Sequence, residues 1–303
     1  MHRLVEYIKN PKLVLLGFLN NGILNWLSDE KYLKYRFRIC VGNALNIDNP
    51  VSFNEKLQWL KLNDRKPIYT MFVDKYEVKK YVARTIGKEY IIPTYGVWEH
   101  FDDIDFDSLP RQFVLKCTHD SGGIIIVRNK QDFNRKAAKR KIERCLRKNF
   151  YYVGREWPYK NVKPRIIAEK YMEEKNQSQI YDYKIFNFDG EPKIIQVDYD
   201  RFKSHKRNLY NTNWDYIKAA IEFPTDENRV INKPQSLNEM LVLARKLSKK
   251  IPHVRTDFYE IDGHVYFGEL TLYHGSGFER FTPESFGVEL GKMLKLPNEN
   301  TYD

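Results

Sequence analysis

Apolar and polar positions switch between a helical period and a two-residue alternation along the chain, and their order predicts a mixed α+β protein. Residues 1–50 read as two or three helical pieces ending at Asn49-Pro50, because proline disfavours helical geometry in the residue before it. Ser52-Phe53-Asn54-Glu55 then has the form of a capping box, opening a helix with Leu57, Trp59, Leu60 and Leu62 that Asp64-Arg65-Lys66-Pro67 closes. A second helix is predicted over 69–86, with Gly87 as its C-terminal cap. Short strands follow at 90–97, 112–117 and 124–127, the last two joined by Thr118-His119-Asp120-Ser121-Gly122-Gly123. A basic helix is expected at 131–149 and a strand at 165–171. Two strands at 180–189 and 192–198 are joined across Asp189-Gly190-Glu191, and a polar irregular stretch runs from 199 to 231. Leu237, Met240, Leu241, Ala244 and Leu247 mark a helix over 236–250, and another closes the pattern at 284–294.

Between those two helices, residues 254–277 carry the densest chemistry. Asp262-Gly263 is a turn signal between apolar runs, and loop length decides which side chains share a face. A two-residue loop sets Glu269 opposite Thr256 and sends Asp257 and Glu269 to opposite faces. A three-residue loop, Ile261-Asp262-Gly263 with the glycine left-handed, or an equivalent bulge, pairs Glu269 with Arg255 and diagonally with Asp257. Arg255, Asp257, Glu269 and Thr271 then share one face, and Val254, Phe258, Tyr266 and Leu270 pack on the other. The three-residue loop is the expectation.

Composition narrows the class. With 303 residues, 42% hydrophobic and 15% aromatic, the chain has material for two or three packed lobes, which excludes a disordered chain. A net charge of +11 points to a polyanionic partner: nucleic acid, an anionic membrane, a nucleotide or an acidic saccharide. The basic helix at 131–149 is read as a solvated face, since no nucleic-acid module surrounds it, and no nucleic-acid partner is expected. Cys40, Cys117 and Cys145 lack CxxC spacing, so reduced thiols in the cytoplasm and no zinc site are expected. The apolar run at 13–19 is too short to span a bilayer and lacks a cleavage site. Two readings of it stay open: packing on the body, which is favoured, and peripheral contact with the inner face of a membrane through its basic flanks.

Asp257 and Glu269 are oxygen ligands of the kind Mg²⁺ prefers, Thr271 adds a hydroxyl, and Arg255 suits a transferring phosphoryl group. Lys116 and Lys184, on separate strands, suit phosphates, and the amides of Ser121, Gly122 and Gly123 can close over them. That glycine loop is no Walker motif, which needs a following helix and a Lys-Ser/Thr pair. Glu169, at a strand end, is placed to accept from an adenine amino group. Asp198-x-Asp200 is the one signature of a nucleotide-sugar glycosyltransferase, and equally a strand-end turn.

The order Asp74-Lys75, Phe113-Val114-Leu115-Lys116, Glu169-Lys170-Tyr171, Asp182-Tyr183-Lys184, Arg207-Asn208, Arg255-x-Asp257 and Glu269-Leu270-Thr271 resembles the ATP-grasp superfamily. NPVSFNEKLQWLKLNDRKPIY, DKYEVKKYV and FGELTLYHGSGFERFTPE are similar to its TupA-like group, named for teichuronopeptide biosynthesis. The resemblance covers residues 35–297. It implies an α+β ATP-grasp fold, two lobes whose antiparallel sheets sandwich ATP. The boundaries it suggests are a helical arm at 1–50, a pre-ATP-grasp domain at 51–110, a first lobe at 111–172 and a second at 173–303.

It also implies ATP and Mg²⁺ as cofactors. Lys75 and Lys116 would contact phosphates, Glu169–Tyr171 would form the adenine hinge, and Asp182 or Glu173 would hold the ribose. Lys184, Arg207 and Asn208 would face the γ-phosphate, Arg255 would stabilise the transferred group, and Asp257, Glu269 and Thr271 would bind metal. Thr271 departs from the superfamily's usual asparagine, and His274 and Ser276 lie where relatives often bind the acceptor. The implied reaction joins a carboxylate and an amine through an acyl phosphate, with a uronic acid of a surface polysaccharide or its precursor and an amino acid as substrates. A glycan kinase of the same fold and a membrane-side glycosyltransferase are the competing expectations.

Overall fold

The computed structural model describes residues 17, 22, 24–120, 122–173, 181–200 and 204–297. Ser121 and the helical piece expected near the N-terminus lie outside them.

Helix α1 (Asp29–Cys40) is followed by α2 (Phe53–Asn63), whose capping box is present as the sequence predicts. The Glu55 amide donates to Ser52 Oγ at 3.4 Å, and the Ser52 amide donates to the Glu55 carboxylate at 2.9 Å. The single helix expected at 69–86 is broken into α3 (Ile68–Val73) and α4 (Val78–Thr85). Asp74 is the cause: its backbone is extended, and its Oδ1 takes the amides of Tyr76 and Glu77, offering the chain an alternative to the helical ladder. Gly87 ends α4 at φ +127°, a backbone region open to glycine.

The first sheet has strands β1 (Thr94–Trp98), β2 (Phe113–Cys117), β3 (Ile124–Val127) and β4 (Ile166–Lys170) in the antiparallel order β1-β4-β2-β3. Helix α5 (Arg135–Leu146) buries Ala138 and Ile142 beside it, and the one-turn α6 (Tyr151–Gly154) follows. Its core joins Phe106, Phe113, Leu115, Ile142 and Ile166.

The second sheet, ordered β11-β10-β5-β6-β7-β8, contains β5 (Asp182–Phe188), β6 (Glu191–Tyr199), β7 (Lys206–Asn211), β8 (Tyr216–Ile217), β10 (His253–Ile261) and β11 (His264–Thr271). A small ribbon pairs β9 (Ala220–Ile221) with β12 (Phe281–Thr282). The stretch expected to be irregular at 199–231 therefore supplies three strands. Its polar residues hid β7, in which Arg207, Leu209 and Asn208, Tyr210 alternate between two faces that are both buried. Helix α7 (Leu237–Leu247) covers the sheet with Leu237, Met240, Leu243, Ala244 and Leu247, and α8 (Glu284–Met293) packs on α2. Phe53, the first residue of α2, meets Phe188 and His253 edge-on at ring-centroid distances of 5.8 and 4.9 Å. Segment 53–63 is thus packed onto the second sheet, while Tyr32, Leu33 and Phe37 of α1 form a separate core with Phe278.

The β10–β11 hairpin corrects one expectation and reaches its purpose by another route. Ile261 pairs with His264, so the loop has two residues, and Asp262 and Gly263 have φ of +51° and +76° as the tight turn demands. Phe258 then pairs with Phe267 but Asp257 pairs with Glu269, leaving Gly268 as an extra, bulged residue. Glu269 lies opposite Asp257, not Arg255, and Arg255 lies opposite Thr271. The bulge does what a three-residue loop would have done and returns the two carboxylates to one face. The two-residue turn also exchanges two aromatics, since Phe267, and not Tyr266, pairs with buried Phe258.

Candidate active site

Between the two sheets lies a cavity of about 240 Å³. The first sheet and the α3–α4 segment give it Lys75, Lys79, Lys116, Ile124 and Glu169, and the second gives Asp182, Lys184, Asp257, Tyr259 and Glu269. Ile91, Ile92, Tyr259 and Phe267 make part of the wall apolar.

The two walls carry opposite charge. On the first, Glu169 is 4% exposed and bridges Lys79 at 2.5 Å and Lys116 at 2.6 Å, two ammonium groups against one carboxylate. Burial alone would raise the Glu169 carboxyl, but Lys116 and Lys79 overcome it and hold it below its usual range. On the second wall three carboxylates meet two cations. Lys184 is ion-paired with Asp182 and, at 2.7 Å, with Asp257. Arg255 donates two 2.7 Å bonds to Asp257 and one of 2.9 Å to Glu269. Burial raises the Asp257 carboxyl. Burial works against the Glu269 charge too, yet Arg255 and Lys184 bring that carboxyl down to about 2. Glu269 keeps 45% of its side chain exposed, so solvent weakens this pull, and it is the carboxylate open to a ligand. Thr271 Oγ1 donates to Glu269 at 3.1 Å, which orients that group.

From Arg255 the network runs away from the cavity. Arg255 Nη1 and His274 Nδ1 are 2.8 Å apart, His274 Nε2 is 2.8 Å from Glu279, and Glu279 is 2.8 Å from Arg207 Nη1. Arg207 Nε donates to Asp198 at 2.7 Å. Burial opposes the Glu279 charge, and His274 and Arg207 overcome it to bring the carboxyl down to about 2.

The structure thus gathers Lys75, Lys116, Glu169, Asp182, Lys184, Asp257 and Glu269 around one space, with Arg255 and Thr271 bonded to its carboxylates. Other expected residues stand elsewhere. Arg207 shares the network but is 5% exposed and held by Asp198, Glu279 and the Ile221 carbonyl. Asn208, its neighbour in a strand, faces the other way and holds the Asp226 carbonyl at 2.8 Å, so it does not meet the cavity. The Glu169 carboxylate is bound by lysines rather than set toward a base edge, because it stands opposite Val114 on the face that also carries Lys116. Lys170 is exposed with its amide given to Pro93, and Tyr171 Oη accepts from Arg128 at 3.2 Å. Gly122 and Gly123 form the β2–β3 turn, in which the Ile124 and Cys117 amides donate to their carbonyls. Lys75 fastens this turn, its amide on the Thr118 carbonyl at 3.0 Å and its ammonium on the Asp120 carbonyl. Asp198 accepts from Arg207 Nε at 2.7 Å and from Gln196 Nε2 at 3.2 Å.

A model of the TupA-like ATP-grasp family matches residues 55–295. The chain belongs to the TupA-like ATP-grasp family, and its fold is the ATP-grasp fold. Among solved structures, D-alanine–D-alanine ligase from Bacillus anthracis in complex with ATP is similar at 17% identity and a TM-score of 0.41, over 74% of this chain and 63% of the ligase. The RimK domain ATP-grasp protein from Sphaerobacter thermophilus is similar at 10% identity and a TM-score of 0.42, over 76% of this chain and 68% of that one. The chain therefore spans less than two thirds of the first of these relatives. No curated protein matches the sequence.

Several residues of the cavity and of the network around it were not singled out from sequence. Lys79 was visible only as one of two lysines in a helix, and Ile91, Ile92 and Tyr259 as apolar positions. Glu279 completes the His274–Arg207 link from 72 positions beyond Arg207, a separation that no local spacing rule reaches. Gly268 did leave a signal, a lone glycine within a strand pattern, which marks a bulge or a close backbone approach.

Among the described residues no helix is long and apolar enough to cross a membrane.

Proposed function

We propose that the protein is an ATP-dependent carboxylate–amine ligase that forms an amide through an acyl phosphate. The opposed charge of the two cavity walls carries this reading: the lysine-rich wall suits a polyphosphate and the carboxylate-rich wall a divalent cation. The donor set fits Mg²⁺, being carboxylate and hydroxyl oxygen from Asp257, Glu269 and Thr271 with no soft atom. Bound there, Mg²⁺ would supply charge neutralisation on the phosphates.

The chain's own residues do the rest. Lys75, Lys79 and Lys116 hold the phosphates, while Ile91, Ile92, Tyr259 and Phe267 receive the base. Asp182 takes the ribose, and Lys184 and Arg255 offset the charge developing on the group in transfer. A carboxylate oxygen of the acid attacks the γ-phosphorus and ADP leaves; the amine then attacks the acyl carbon, phosphate leaves, and the amine proton passes to solvent. Positioning and charge suffice, so no side-chain nucleophile is required. A uronic acid of a surface polysaccharide or its precursor as the acid, and an amino acid as the amine, suit the +11 net charge and the family's name.

A product screen with Mg·ATP, uronic acids and an amino-acid panel tests the proposal. ADP and phosphate formed only when acid and amine are both present, with a mass equal to their sum less water, is the expected outcome. AMP and pyrophosphate, or a stable phosphorylated sugar made without any amine, contradicts it.

A further inference from the structure

The glycine-rich turn is backed by a cluster of donors that the proposed chemistry does not use. Cys117 ends β2, Asp120 lies in the turn and Cys145 lies near the end of α5; their two sulfurs and one carboxylate oxygen all lie within 4.8 Å of one another. The spacing in sequence gave no hint of this, because Cys145 is carried back to the sheet by the helix. We propose that Cys117, Asp120 and Cys145 form a binding site for a zinc-class divalent ion, separate from the oxygen-lined Mg²⁺ position.

Three observations support it. Two sulfurs and one carboxylate are a donor set that selects zinc or cadmium over magnesium, with water left for the fourth position. The surroundings keep the donors together. The Gly123 amide donates to Asp120 Oδ1 at 3.2 Å, and a Cβ on Gly123 would stand 2.9 Å from Cys117 Sγ and 3.1 Å from Asp120 Oδ2. The site also has an entrance, since Cys145 is partly exposed although Cys117 is fully buried.

Binding replaces two S–H bonds by two metal–sulfur bonds and releases two protons to solvent. An ion held there joins the end of β2, the turn and α5, and so fixes the turn whose Asp120 carbonyl receives the Lys75 ammonium. Metal supply would then set how firmly the Asp120 carbonyl is held against Lys75 beside the cavity.

Reduced full-length protein titrated with Cd²⁺ and Zn²⁺ tests the proposal. One ion per chain, a thiolate-to-cadmium charge-transfer band, release of two protons and slowed hydrogen exchange at amides 118–123 are expected. Cys145→Ser should lose more than the about 10–100-fold in affinity that removing an outer supporting residue costs. Asp120→Asn should weaken binding about tenfold or more while keeping the band. Cys40→Ser should change nothing, as Cys40 packs in the separate α1 core. If Cys145→Ser does not fold, Asp120→Asn and the proton count decide the matter. No band at one equivalent of Cd²⁺, unchanged binding by folded Cys145→Ser or Asp120→Asn, or loss of binding in Cys40→Ser overturns it. None of these readouts depends on turnover, so they stand apart from the ligase proposal.

Discussion

Replacing Gly268 by alanine strikes the device that puts both carboxylates on one face. A Cβ there would lie 3.1 Å from the Asp257 carbonyl oxygen, 3.1 Å from Tyr259 Cε2 and 3.4 Å from Asp257 Cβ. Comfortable contacts are about 3.5–4.0 Å, so the two strands must separate locally by a few tenths of an ångström. The oxygen belongs to the backbone of Asp257 and cannot swing aside as a side chain would. Overpacking of this kind costs about 1–3 kcal/mol. Some of that appears as lost stability, and some as displacement of Glu269, the next residue, from Asp257. If about 1.4 kcal/mol falls on the metal position, Mg²⁺-dependent binding of an ATP analogue weakens about tenfold. Calorimetry at several Mg²⁺ concentrations reads the binding, and urea unfolding reads the stability. Gly268→Ala should weaken the Mg²⁺-dependent part of binding more than the Mg²⁺-free part, which crowding of Tyr259 also touches. A variant that loses stability while keeping the wild-type Mg²⁺ dependence would refute the role given to the bulge.

Arg255→Met leaves Asp257, 1% exposed, with Lys184 as its remaining cationic partner, and should cost about 1.5–3 kcal/mol in urea unfolding. Arg255→Met combined with Asp257→Asn should recover part of that loss, and simple addition of the two single losses would contradict the pairing. Lys79→Met removes a charge-assisted contact of about 1.5–3 kcal/mol and should weaken ATP-analogue binding roughly tenfold or more; wild-type affinity would place Lys79 outside the site. His253 is pushed down to about 3, first by burial and then by the neighbouring His274. Below its ordinary value of about 6.5 the unfolded chain takes up a proton that the folded protein refuses, so stability drops as pH is lowered from about 6.5 toward about 3, by at most about 1.4 kcal/mol per unit. Urea midpoints at mildly alkaline and mildly acidic pH should show that fall in the wild type and a shallower one in His253→Gln; equal slopes would remove His253 as its source.

Much of the fold was legible because its signals are local. The Ser52–Glu55 box, the Gly87 cap and the strand at 112–117 each follow a short-range rule that the structure obeys, and Asp262-Gly263 marked the hairpin turn though not its length. Where one side chain competed with the backbone, periodicity misled: Asp74 broke a pattern that looked continuous from 69 to 86. Polar residues misled at β7, where Arg207 and Asn208 are buried by partners far away in the chain. The candidate site followed the same division. Asp257, Glu269 and Lys184 could be placed on strands from alternation, but the pairing of Glu169 with Lys79 and the meeting of Cys117 with Cys145 depend on tertiary contacts that no spacing encodes. Gly268 lies between these cases, since its glycine was in view and its consequence for register was not.

Calorimetric binding of a non-hydrolysable ATP analogue probes whether the space between the sheets takes Mg·ATP with its metal on Asp257 and Glu269, as proposed. One analogue should bind per chain, strengthened by Mg²⁺ in the wild type and insensitive to Mg²⁺ in Glu269→Gln. Binding that Mg²⁺ does not strengthen in the wild type, or that responds to Mg²⁺ equally in Glu269→Gln, would contradict it.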